Sequence, residues 1–112
     1  MFAKSKDAGQ TWSELKALEA KNPNSGIDAM TLADGRHVMV YNDTDRGRSP
    51  LNVAVSKDGE TWENAVTLED ERGGEFSYPA VIQAKDGKIH VTYTWKRLKV
   101  RHVVIDGGKL KA

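Results

Sequence analysis

The feature that most restricts this chain is a phrase it states twice. Ser5-Lys6-Asp7-Ala8-Gly9-Gln10-Thr11-Trp12 returns as Ser56-Lys57-Asp58-Gly59-Glu60-Thr61-Trp62, one residue shorter. A second landmark keeps step with it. Ala33-Asp34-Gly35-Arg36 precedes Val38-Met39-Val40-Tyr41, and Lys85-Asp86-Gly87-Lys88 precedes Ile89-His90-Val91-Thr92-Tyr93. Trp12 and Trp62 lie 50 residues apart, while Asp34 and Asp86, like Tyr41 and Tyr93, lie 52 apart. Two landmarks with one period make the chain a repeat protein, and such units bury their apolar faces only against one another.

A period near 50 filled with short strands is the pattern of propeller blades, so the fold class is all-β. Asp34-Gly35 and Asp86-Gly87 read as two-residue type I′ hairpin turns. They join 29–32 to 37–41 and 80–83 to 89–93. Third strands follow at 51–55 and 100–105, and a fourth at 65–68. Residues 13–20 are ambiguous: Glu14, Leu15, Ala17, Leu18, Glu19 and Ala20 favour helix, so a ragged edge strand or a helical turn is expected there. The domain plan is one partial propeller over 1–112. It holds a turn and outer strand at 1–20, a full four-stranded blade at 27–70 and three strands of the next at 76–106.

The Ser-x-Asp phrase has a structural reading. The carboxylates of Asp7 and Asp58 accept backbone N–H groups, Gly9 and Gly59 take positive φ, and Trp12 and Trp62 pack between sheets, at least partly buried. Ser5, Thr11, Ser56 and Thr61 complete the two turns. The spacing of acidic residues is not that of an EF-hand, which argues against calcium. With no cysteine, thiolate metal sites and disulfides are excluded. His37, His90 and His102 are scattered over strands without ligand spacing, so no metal and no cofactor are expected. A net charge of +1 gives no pull toward nucleic acid or an anionic membrane. No apolar run approaches a membrane span, and 1–7 lack the apolar stretch of a signal peptide. The chain is expected to be soluble, in a compartment the sequence does not specify.

The phrase resembles the Asp-box repeat of sialidases and related propellers. The segments between the boxes are more specific. Asn22–Ala29, Arg48-Ser49-Pro50-Leu51-Asn52-Val53-Ala54, Glu75–Gln83 and His90–Trp95 resemble the bacterial and plant BNR-repeat family of exo-α-sialidase-like proteins. The resemblance covers nearly the whole chain, and implies the C-terminal end of a six-bladed propeller closing near His102-Val103-Val104-Ile105-Asp106. It also implies a glycoside hydrolase acting on sialic-acid-like sugars. In that family three arginines bind the substrate carboxylate, and a tyrosine nucleophile is activated by a glutamate, with an aspartate as acid/base. Tyr78 matches the nucleophile and Arg48 the third arginine. Glu75 does not match the glutamate by position, and Ser77-Tyr78-Pro79 departs from the commoner Tyr-Ser. The remaining catalytic groups are expected upstream, leaving this chain inactive alone.

The chemistry of these two positions is coherent. Arginine is a permanently charged fork that pairs bidentately with a carboxylate. A phenol becomes a nucleophile only when a neighbouring base takes its proton. Asp28 opens the corresponding strand one unit earlier, where it would contact a substrate hydroxyl or serve a turn. Each residue has a plainer reading: Tyr78 as a core aromatic, Arg48 as a solvated loop residue. The same blades would also serve a non-catalytic sugar-binding or assembly module. Two blades leave unpaired faces and an unpaired edge, so the expected partners are a sialoside-like carbohydrate and further copies of the chain. A cyclic homotrimer is the first expectation and a strand-exchanged dimer the alternative.

Overall fold

A computed structural model describes residues 1–18 and 20–110 of the chain. Runs rich in β-branched residues, punctuated by Asp-Gly turns, give seven strands. They are β1 (Asp28–Thr31), β2 (His37–Tyr41), β3 (Leu51–Ser56), β4 (Glu63–Glu69), β5 (Phe76–Gln83), β6 (Lys88–Trp95) and β7 (Lys99–Asp106). A short 3-10 turn, Gly107–Lys109, follows. The strands form two antiparallel sheets, ordered β1-β2-β3-β4 and β5-β6-β7. Among the described residues no helix is long and apolar enough to cross a membrane.

Period-two alternation decides which sheet face each residue serves. Val38 and Val40 of β2 and Leu51, Val53 and Val55 of β3 join Phe76, Val81, Ile89, Val91 and Tyr93 of the second sheet in one buried cluster. The intervening residues Met39, Tyr41 and Ala54 form a second cluster on the opposite face, with Ala20 and Trp62 packed on it. Covered on both sides, β3 is buried at all six positions. By contrast, β7 is exposed or half-exposed along its whole length.

Side chains tie the sheets together where β1 meets β5. Asp28 Oδ2 accepts the Val81 N–H at 2.8 Å, and Gln83 Oε1 accepts the Ala33 N–H at 2.8 Å. Behind them lies Asn42, fully buried. Its Nδ2 donates to the carbonyls of Pro50 at 3.1 Å and Phe76 at 3.0 Å, and its Oδ1 accepts from Ser25 Oγ at 2.9 Å. One amide thereby ties two loops to the start of β5.

Three expectations are corrected. The Asp-Gly turns are three-residue loops: Gly35 N–H bonds Leu32 O, Leu32 N–H bonds Arg36 O, and the second hairpin repeats this at Ala84, Gly87 and Lys88. Only the glycines take positive φ, +93° at Gly35 and +87° at Gly87, so each loop is a turn closed by a glycine bulge. The turn with two positive-φ residues is Lys96-Arg97, with φ of 51° and 60°. Residues 13–18 form neither strand nor helix; Phe2 and Lys16 make one isolated bridge, and Glu19 lies outside the described residues. Trp12 is 63% exposed, because no sheet among the described residues covers its outer side.

Candidate functional site

The two Ser-x-Asp turns are built alike. Asp58 Oδ1 accepts the N–H groups of Glu60 and Thr61, each at 2.8 Å, and the Ser56 hydroxyl at 3.0 Å. Asp7 accepts the Thr11 N–H and the hydroxyls of Thr11 and Ser5. Gly9 and Gly59 have φ of +90° and +79°. The indole N–H of Trp12 reaches Gly9 O at 3.1 Å, and that of Trp62 reaches Gly59 O at 3.2 Å. Trp62 is half-buried against Met39 and Tyr41, whereas Trp12 belongs to neither buried cluster among the described residues. Both carboxylates are acceptors inside a turn.

Those bonds hold both carboxyls at about 2, below the ordinary 3.8; the dominant cause is Thr11 for Asp7 and the backbone N–H of Thr61 for Asp58. A depressed folded value stabilises the fold fully above the unfolded value, and that contribution is lost as pH falls through the folded one. Thermal unfolding of the native chain should therefore shift to lower temperature between pH 4 and pH 2. Asp58→Asn should flatten that shift. An unaltered pH profile in the variant would contradict the turn's role.

Tyr78 is presented differently. Ser77 pairs with Thr94 and Ala80 with Thr92, so β5 takes one more step than β6 and bulges at Tyr78-Pro79. Tyr78 sits at φ +52°, a left-handed conformation unusual for an aromatic and disfavoured before proline. Such a residue costs on the order of 1–3 kcal/mol and persists only where its surroundings impose it. The bulge turns the ring outward, leaving Tyr78 68% exposed. The Arg48 guanidinium lies over that ring, 5.4 Å from its centroid. Gly26 flanks the ring: a Cβ added there would stand 3.7 Å from Tyr78 Cδ1.

Arg48 is held by its own backbone. Its carbonyl accepts the Phe76 N–H at 3.0 Å, and Arg48 bridges to Glu75 in parallel register. Arg46, Arg48, Gly74 and Glu75 border a cleft of about 340 Å³. The Glu75 carboxylate pairs with Arg97. Asp28 lies near this group but has both oxygens engaged, Oδ1 by the Ala29 N–H at 3.0 Å and Oδ2 by Val81. Among the described residues the Tyr78 hydroxyl makes no hydrogen bond. The structure thus brings Tyr78 and Arg48 into contact across 30 residues of sequence, and employs Asp28 as a β1–β5 latch beside them.

Sequence reasoning did not single out Asn42, whose signal is weak: a lone polar residue directly after an apolar strand. It also treated His90 and His102 as scattered, but their rings stack with centroids 5.1 Å apart. Only the register of β6 on β7 brings them together.

Two antiparallel sheets that each carry an Asp-Gly hairpin, with one turn phrase stated twice along the chain, define a repeat-built all-β protein. The family model described as a BNR repeat-like domain matches residues 1–91, and the chain belongs to that family. No curated protein matches the chain.

Proposed function

We propose that this chain contributes about two blades to a sialidase-like, six-bladed Asp-box propeller whose substrate is a sialic-acid-like sugar. The observation that carries this reading is the outward bulge of Tyr78 under the Arg48 guanidinium. A bulge beside a site re-aims a side chain, and here it offers a phenol and a carboxylate-binding cation to the same solvent. In this reading Tyr78 is the nucleophile, Arg48 binds the substrate carboxylate, and Asp28 positions the strand that carries Tyr78. Glu75 is committed to Arg97, so the base and acid that complete the reaction come from other blades. The chain alone should not hydrolyse a fluorogenic sialoside, since groups acting as a unit fail together.

The test is binding. Free sialic acid, titrated into isotope-labelled chain, should perturb the Tyr78 and Arg48 resonances, while glucose should not. Arg48→Ala should weaken the response about tenfold or more, as expected for a charge-assisted bond of roughly 1.5–3 kcal/mol. Equal responses to both sugars would favour a non-catalytic sugar-binding module. No response to either would overturn the reading.

Assembly follows from what stays uncovered. Among the described residues the second sheet stops at β7, with an unpaired edge, and its outer face exposes Ile82 and Val104. Residues 2–16 pair with themselves rather than with β7, which leaves that edge for another copy. A cyclic trimer closes such heterologous contacts and an exchanged dimer is the alternative. Native mass spectrometry showing a stable folded monomer at micromolar concentration would refute both.

A further inference from the structure

The outer face of the second sheet holds a pair of histidines that the repeat does not account for. β6 and β7 pair His90 with Val104 and Thr92 with His102, so the two imidazoles meet across the diagonal. Their rings stack at 20°, with His90 Nδ1 2.9 Å from His102 Nε2. Asp34 and Tyr41 correspond to Asp86 and Tyr93, which sets His90 at the place of Val38 and Thr92 at that of Val40. The cross-strand partners then equate His102 with Val53 and Val104 with Val55. In the first sheet these four valines are buried core. In the second, three of the four are polar and two are imidazoles in contact, so apolar packing does not explain them.

We infer that His90 Nδ1 and His102 Nε2 form a two-imidazole seat for a divalent first-row transition ion of the copper or nickel type. Two nitrogens bound at right angles to one ion, each about 2.0–2.1 Å away, lie about 2.9 Å apart. That is the separation present here, and it suits the tetragonal geometry of Cu(II) or Ni(II). A tetrahedral ion would need the nitrogens to spread to roughly 3.4 Å. In the metal-free pair one imidazole donates its N–H to the other. On binding, that proton moves to the donor ring's other nitrogen and each ring tilts, so that both lone pairs leave the N–N line and converge on the ion beside it with no net change in protonation. Strand pairing fixes the two backbone positions, and rotation about the side-chain bonds supplies the tilt. Among the described residues no cluster of three or more ligating side chains occurs, so the remaining positions are filled from outside the chain, by water or by the copy that covers this face.

Calorimetric titration of the full chain with copper(II), nickel(II) and zinc(II) salts, combined with electron paramagnetic resonance of the copper form, tests the seat. One copper per chain is expected, bound more tightly than nickel or zinc, with hyperfine structure from two nitrogens. His90→Ala and His102→Gln should each weaken copper binding at least tenfold and remove one nitrogen from the spectrum. His37→Ala, which alters the histidine bonded to Thr31 in the first sheet, should change neither. Circular dichroism of each variant verifies that the sheets persist. Copper affinity within twofold of the native value in both pair variants, or no stoichiometric binding, would overturn the inference.

Discussion

Replacing Phe76 by alanine should lower the unfolding free energy by about 3–5 kcal/mol, the range for truncating a fully buried aromatic. Phe76 is the first residue of β5, has no exposed surface and belongs to the cluster between the sheets. Its N–H holds Arg48 O, and its carbonyl receives Asn42, so its side chain anchors a backbone junction as well as a core. Small domains are stable by only about 5–15 kcal/mol, so the variant should unfold at a much lower urea concentration. Tryptophan fluorescence in urea measures this. A loss below about 1 kcal/mol would mean that the two sheets do not close over Phe76. Because β5 carries Tyr78, the same variant should also weaken any response to sialic acid.

Asn42→Leu should cost about 2–4 kcal/mol, although leucine is close to asparagine in size and more apolar. The reason is the fate of its partners. The carbonyls of Pro50 and Phe76 and the hydroxyl of Ser25 would lose their bonds to Asn42, the Phe76 carbonyl in the buried interior. A buried group left without a partner costs more than a bond contributes when formed. Equilibrium urea unfolding of the single and double variants checks this. Combined with Phe76→Ala, the loss should fall short of the sum, because both act on the Phe76 carbonyl junction. A fully additive double variant would show that Asn42 acts elsewhere.

The sequence alone determined the strand inventory, the repeated phrase and the location of the hairpins. These follow from local signals: alternation at period two, Asp-Gly turns and a phrase repeated at fixed spacing. β2 spans the residues that the pattern marked, and the other strands differ from expectation by a few residues at their ends. The sequence also marked Tyr78 and Arg48 as residues to watch, through a resemblance carried by the segments around them. The tertiary structure decided what depends on register and on cover. The turn at Lys96 and Arg97 sets the β6–β7 ladder, and that ladder determines which side chains meet on a diagonal, as His90 and His102 do. One extra residue in β5 turns Tyr78 outward, and nothing in Ser77-Tyr78-Pro79 by itself reveals that β6 takes one step fewer. Trp12 and Trp62 share a phrase but not an environment, because burial requires a neighbouring surface and only Trp62 has Met39 and Tyr41 beside it. Asn42 became a hub only once two loops and the start of β5, distant in sequence, converged on one buried amide.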